Sequence, residues 1–378
     1  MKTKWKVSFL LVILILSYLT FWNYKNRIYD WDMPGYLGCL YTSRFPDSPE
    51  KVRNLTFGFI EKEAPADQYN DIIGLKPVDR ARQVFKNDTQ SFTEQIPYFQ
   101  IKAGYNLAIS FFYEIGFSPP MAVLVASLIS YFISGLLLFY IFTIIFPQKY
   151  LIAAGLTIVI ALLPPMTYMS RVSTPDMFIF QFLLVFAIGW IKRWNKWIMF
   201  LILLGITFTR PDYIPFTLSY LMSVIVFEYY KDKKTDFYIL IQGVALLCLY
   251  MFIIKFYNYP GWKNLFYDSF IYRRPTISAQ PAVFTIEEYL HILLNKIIYF
   301  KKVSLISLSM LGAIFYLSKD QWVRLSACLI FANIYIKFIF FPHSSGLRFF
   351  FGFIILLFII LLYALSKKYN GFKLNKIV

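Results

Sequence analysis

An all-α polytopic membrane fold is predicted by three features of the sequence. Only 16% of the 378 residues are charged, where a soluble domain carries about a quarter. Apolar runs such as VSFLLVILILSYLTFW (7–22) and MAVLVASLISYFISGLLLFYIFTIIF (121–146) are long enough to cross about 30 Å of hydrocarbon as helices. The runs are continuous, whereas the strands of a membrane β-barrel alternate apolar and polar residues.

In chain order, spanning helices are expected near 5–22, 121–146, 151–169, 176–191, 197–209, 213–229, 237–256, 303–317, 322–341 and 349–366. About ten spans put both termini on one side. The short segments MKTKWK, PQKY, KRWNK, KDKK and SKDQWVR, with the tail KKYNGFKLNK, hold 16 of the 38 basic residues. The short loops on the other side hold Arg171, Arg210 and Arg348. An excess of Lys and Arg marks the cytoplasmic face, so both termini are expected in the cytoplasm. Residues 197–209 are short for a span, which tilt or shielding by neighbours accommodates. The whole chain reads as a single membrane domain.

Two long stretches then fall outside. Residues 23–100 form a first external loop with 11 of the 21 acidic residues and 10 basic ones. Six prolines (34, 46, 49, 65, 77 and 97) exclude one long helix there, and short amphipathic pieces such as KPVDRARQVFKND are expected instead. The second external loop is 257–302. Its later part, FTIEEYLHILLNKIIYFKK, repeats apolar residues at helical spacing and suits the interface. Residues 101–117 are placed as an interfacial or re-entrant helix, because counting them as a span would put KRWNK outside.

The net charge of +17 does not indicate nucleic acid, because the cations concentrate in the breaks between apolar runs. Of Cys39, Cys248 and Cys328, the last two lie in apolar runs, so no disulfide framework is expected. The basic, apolar N-terminus resembles a signal peptide but lacks a small-residue cleavage pattern, and it is read as an uncleaved helix. NLT (54–56) and NDT (87–89) are formal glycosylation sequons. Neither GxxxxGK[ST] nor GxGxxG occurs, so ATP-driven work and dinucleotide chemistry are unsupported.

Ionisable residues gather at the predicted outer helix ends: Asp30 and Asp32 in YDWDMPGY, Arg171 and Asp176 in SRVSTPDMF, Arg210 and Asp212 in FTRPDYIP, and His343 and Arg348 in FPHSSGLRFF. Charges near membrane depth cost a few kcal/mol each and usually have partners or functions. Arginines bind phosphate in forked geometry, and a carboxylate can take a proton from an attacking hydroxyl. A plainer reading stands beside this one. Thr-Pro-Asp and Arg-Pro-Asp also punctuate helix starts, and Asp30 and Asp32 also suit the capping of a following helix. His343 has no metal-ligand spacing around it and reads as a loop histidine.

With these residues in place, the chain resembles the GT-C class of membrane glycosyltransferases, which includes protein O-mannosyltransferases and bacterial aminoarabinose transferases. The class carries an acidic motif in a large external loop after the first helix. In related bacterial enzymes a tyrosine follows the acid by four residues, as Tyr36 follows Asp32 here. IKAGYNLAISFFYEIGFSP (101–119), STPDMF (173–178), FTRPDYIP (208–215) and GLRFFFGFIILLF (346–358) are similar to later stretches of the class. The chain has Asp-Trp-Asp where many members pair two acids directly, and it lacks the C-terminal soluble domain of larger members.

The resemblance implies transfer of a hexosyl or pentosyl group from a polyprenyl-phosphate donor to a hydroxyl of a glycan, lipid or protein acceptor. Transfer would occur outside a bacterial inner membrane, with inversion, in cell-envelope polysaccharide biosynthesis. Asp32 would be the general base, with Asp30 assisting or replacing it. Arg210, Arg348 and Lys102 would hold the donor phosphate, and Tyr36, Arg171 and His343 complete the expected substrate-binding set. No cofactor motif is present, and a divalent cation is left open. Two other readings stay in view. One is an O-antigen polymerase or ligase type of enzyme, which the late loop with Arg273 and Arg274 would suit. The other is a lipid-linked glycan transporter without covalent chemistry, for which charges inside apolar runs (Glu114, Lys255 and Lys337) would speak.

Overall fold

The computed structural model describes residues 3–233, 236–343 and 347–369, and every regular element among them is helical. Lys2, Lys234, residues 344–346 and the basic tail beyond 369 lie outside the described residues. After α1 (Thr3–Lys25) come seven shorter helices: α2 (Met33–Thr42), α3 (Pro49–Glu63), α4 (Ala66–Ile72), α5 (Arg80–Asn87), α6 (Thr89–Gln95), α7 (Pro97–Gln100) and α8 (Ala103–Glu114). The chain continues through α9 (Pro119–Ile145), α10 (Tyr150–Leu162), α11 (Pro164–Arg171), α12 (Asp176–Lys192) and α13 (Lys196–Thr209). A 3-10 turn at Pro211–Tyr213 leads into α14 (Ile214–Asp232) and α15 (Phe237–Phe256). The last elements are α16 (Trp262–Phe270), α17 (Ile286–Tyr299), α18 (Lys301–Leu317), α19 (Gln321–Phe340) and α20 (Arg348–Tyr369).

A helix stands at each of the ten expected span positions. By length and composition, α1, α9, α15, α19 and α20 can each cross a membrane. The pairs α10–α11, bent by 59°, and α17–α18, bent by 69°, raise the number to seven if each is one broken span. The first break falls at Pro164-Pro165, which cannot supply helical N–H groups. The count falls short of ten for physical reasons. α12 has 17 residues and α13 only 14, about 21 Å of helix for the latter, and α14 carries Glu228, Lys231 and Asp232 in its last turns.

The bundle is built around α9 and α20. In their most apolar stretches 72% and 67% of the residues are buried, against 22% for α1 and α15. α1 and α15 instead turn Val7, Leu10, Leu14, Leu240, Val244 and Phe252 outward, as helices that face hydrocarbon do. Polar side chains bind helices across the core. Trp190 Nε1 donates to Ser326 Oγ at 2.8 Å, and Ser366 Oγ donates to the Ile145 carbonyl at 2.6 Å.

The stretch between α1 and α9 is folded. Met33, Leu37, Val52, Ile60, Phe85, Phe92 and Ile96 form a second core with Tyr105 and Ile109 of α8 and Ala122 and Val123 of α9. Asp79 and Asp88 accept from the Arg82 and Ser91 backbone N–H groups and so cap α5 and α6. These helices therefore sit as a cap on one end of the bundle. The segment around α16 is clasped to them. Ser278 donates to Glu94 through its N–H (2.9 Å) and hydroxyl (2.6 Å), and Tyr98 Oη donates to Asp268 at 2.9 Å. Arg274, 1% exposed, fixes the segment internally. Its guanidinium donates to both Asp268 oxygens (2.7 and 2.9 Å), to Asn264 Oδ1 (2.8 Å) and to the Gln280 carbonyl (2.6 Å).

Removing that guanidinium strands Asp268 and two further acceptors. Arg274→Ala should cost about 3–5 kcal/mol locally and loosen the segment. Limited proteolysis within residues 257–285 should then run many-fold faster than in the unsubstituted protein, and an unchanged rate would contradict the clasp.

Candidate functional site

Helix α1 ends at Lys25, and the chain then passes beside the turn between α11 and α12. The Ile28 N–H donates to the Arg171 carbonyl at 2.8 Å, the Tyr29 N–H to Gln68 Oε1 at 2.8 Å, and the Ser173 N–H to Asp30 Oδ1 at 3.4 Å. The same turn is held from behind. Ser127 Oγ on α9 lies 3.1 Å from the Val172 carbonyl and 3.3 Å from that of Thr174. Asp176 opens α12 immediately afterwards, where the helix N-terminus favours a carboxylate.

Asp32 stands at the N-cap position of α2 but makes no capping hydrogen bond. Its Oδ2 lies 3.8 Å from Arg348 Nη2 instead. Arg348, the first residue of α20, also reaches Asp176, with Nε 3.8 Å from Oδ2. Asp176 is bound more tightly by Arg210 Nη1. Arg210 follows α13, and its Nε donates to both oxygens of Asp212 in the next turn, at 2.9 and 3.2 Å. Lys337, in the last turn of α19, stands 3.8 Å from Asp212 Oδ2. One chain of charges therefore runs Asp32, Arg348, Asp176, Arg210, Asp212, Lys337. It joins five parts of the sequence at one end of the bundle.

A close helix contact brings Lys102 to this end. A Cβ on Gly104 would lie 2.8 Å from Thr209 Oγ1 and 3.0 Å from its Cα, so only glycine lets α8 lie this tightly against the end of α13. Lys102, just before α8, donates to the Tyr98 carbonyl.

Burial pushes the Asp30 carboxyl up to about 7, and the Asp32 charge adds to the shift. Asp32 is also raised by burial, but the charges of Arg348 and Lys102 oppose this. Burial, together with the Arg210 charge, brings Lys102 down to about 8. The two acids thus differ in environment. Asp32 faces a guanidinium, whereas Asp30 receives one long backbone N–H.

The expected set is gathered unevenly. Asp32, Asp30, Arg348, Arg210 and Lys102 converge, although Arg210 has Nε and Nη1 committed to Asp212 and Asp176. Tyr36 is buried edge-on between Phe99 and Tyr105, with ring centroids at 5.1 and 4.9 Å. Arg171 stays apart. Its Nε donates to the Thr167 carbonyl and its guanidinium lies over Trp22. Its backbone carbonyl, not its side chain, serves the site. His343 packs on Phe341 and Phe349, and burial and the Arg348 charge lower its pKa. Lys337 was visible in the sequence only as a charge in an apolar run. No group of three His, Cys, Asp or Glu with metal-holding geometry occurs among the described residues. Three of the four acids are instead engaged by Arg or Lys.

Asp176 and Arg210 are 5% and 8% exposed, so removing one partner leaves a buried charge. Arg210→Met should destabilise the protein by about 3–5 kcal/mol, and adding Asp176→Asn should recover part of the loss. Thermal unfolding of the two variants would check this, with equal loss in both speaking against the pair. Compared with known proteins, the chain matches no family model, no curated protein and no solved structure.

Proposed function

We infer that this is a polytopic membrane glycosyltransferase that moves a sugar from a polyprenyl-phosphate donor to an acceptor hydroxyl. The observation that carries the reading is the uncapped Asp32 at the cap-facing end of the bundle, 3.8 Å from Arg348. A carboxylate held only by a long ion pair and a cation with spare donors are what a displacement at a sugar phosphate requires. In the topology proposed, ten segments cross or dip into a bacterial inner membrane and both termini are cytoplasmic. Residues 23–100 and 257–302 are external loops, and 101–117 lies at the interface. The basic loops sit at the opposite bundle end, where Asp320 meets Arg193 at 3.9 Å and Lys367 at 3.2 Å, in keeping with that orientation.

In the reaction, the acceptor oxygen attacks the anomeric carbon from the side opposite the phosphate. The hydroxyl proton passes to Asp32. The bond between the anomeric carbon and the phosphate oxygen breaks, and the polyprenyl phosphate leaves with its electron pair. Arg348 and Lys102 balance the charge that grows on it. Arg348, 3.8 Å from Asp32, favours that acid's ionised form and makes Asp32 the assigned base. Burial and the Asp32 charge push Asp30 up to about 7. The polymerase or ligase reading loses one of its two late arginines, because Arg274 is consumed in holding its own segment.

Purified protein incubated with polyprenyl-phosphate hexoses and pentoses and a pool of acceptors should yield glycosylated product by mass spectrometry. Asp32→Asn should lower that rate by about 10²–10⁴ without changing the unfolding temperature, and full activity would remove Asp32 from the mechanism. The rate should also follow a bell in pH. Its rising limb, near 7, reflects ionisation of the Asp30–Asp32 pair, and its falling limb, near 8, reflects loss of the Lys102 charge. A flat profile between pH 6 and 9 would contradict both roles.

A further inference from the structure

The cations at this end of the bundle differ in how many of their donors are already used. Arg210 spends Nε and Nη1 on Asp212 and Asp176. Arg274 is saturated by Asp268, Asn264 and backbone carbonyls. Lys102 gives one proton to the Tyr98 carbonyl. Lys337 is different. Its Nζ is buried and makes no hydrogen bond, its nearest carboxylate oxygen is 3.8 Å away on Asp212, and its side chain is 9% exposed. The ammonium rests over the Tyr213 ring, 4.1 Å from the centroid.

An ammonium held in this way is expensive. Taken from water, it has exchanged three hydrogen bonds for one long ion pair and a ring face. A lysine placed only to stabilise the fold would be expected to reach its carboxylate at hydrogen-bond distance, as Arg210 does two residues from Asp212. The Asp212 side chain beside it is 46% exposed. Lys337 therefore stands beside an exposed carboxylate, with no hydrogen bond spent on it or on any other group.

We propose that Lys337 is the residue that binds the phosphate of the donor, and that Arg210 is a positioning residue which holds Asp176 and Asp212 around it. This rests on the glycosyltransferase reading and changes its assignment of the phosphate ligands. A phosphate oxygen entering beside Asp212 would take the Lys337 donors at hydrogen-bond distance. Arg348, whose two ion pairs are both at 3.8 Å, would close on the same group from the Asp32 side. The ligand class is a phosphate ester, for which a lipid headgroup and free phosphate share the chemistry.

Native mass spectrometry of the intact protein in detergent separates the possibilities, with polyprenyl monophosphate, phosphatidylglycerol and inorganic phosphate as probes. Polyprenyl monophosphate should bind the unsubstituted protein more tightly than the other two. Lys337→Met should weaken that binding by at least tenfold and leave the unfolding temperature equal or higher, since an unsatisfied charge has been removed. Lys337→Gln, which keeps a polar end, should fall between. Loss of binding together with a lower unfolding temperature in both variants would make Lys337 structural and overturn the assignment. Equal binding by all three proteins would overturn it while leaving the glycosyltransferase reading intact. No binding of polyprenyl monophosphate to the unsubstituted protein would overturn both. Tighter binding of phosphatidylglycerol or inorganic phosphate would make the site one for general anions and overturn the donor-specific assignment.

Discussion

The bridge from Arg210 to Asp176 and Asp212 is the interaction on which the arrangement of this protein depends. Its carboxylates come from the start of α12 and the turn before α14, and its guanidinium from the end of α13. In a low-dielectric setting such charges persist only if each is matched. The match requires the ends of these helices to lie side by side at one depth. Arg348 extends the constraint to α20, and Asp32 extends it to the segment leaving α1. Helix packing by itself tolerates sliding, because apolar surfaces are alike along their length. Charge pairing does not, and it sets the register of the bundle at this end.

Around that register the rest of the molecule forms a cover. The helices between α1 and α9 pack on α8 and the start of α9 through their own apolar core. The segment carrying α16 is tied to them by Glu94, Tyr98 and Ser278. Arg273 extends from this segment over the face of Trp31, 3.3 Å from the ring centroid, between the two acids of the YDWDM stretch in sequence. The acids thus lie beneath folded chain, which limits water at the charges and strengthens each electrostatic contact.

Much of this was legible beforehand. The apolar runs located helices at the ten expected positions, and Pro211 marked a turn, whereas the run 151–169 is broken at Pro164 into α10 and α11. The Pro-Asp motifs do punctuate the chain, and their acids also have charged partners. Pro211 does open a turn and Asp176 does begin a helix, while their carboxylates are also held by Arg210. At Asp32 the cap position is occupied without a cap bond, and the carboxylate faces Arg348 instead. Arg171 and Arg210 looked alike in sequence, each a few residues or fewer before a Pro-Asp motif. One turns to Trp22 and the other to two carboxylates, a difference set by side-chain direction at the end of each helix.

Composition and periodicity alone determined that the chain is helical, apolar on its faces and charged at its breaks, because these follow from local propensity and transfer free energy. The same information supplied the acids and arginines at the helix ends. Only the tertiary structure decided which cations have donors already spent and which do not. That depends on distances between residues far apart in the chain, such as Lys337 and Asp212, and on the close approach at Gly104 that brings Lys102 beside Arg210. A lysine in an apolar run looks the same in sequence whether it is paired or waiting for a partner. The difference is a matter of a few tenths of a nanometre, which is fixed by the packing of helices rather than by any one of them.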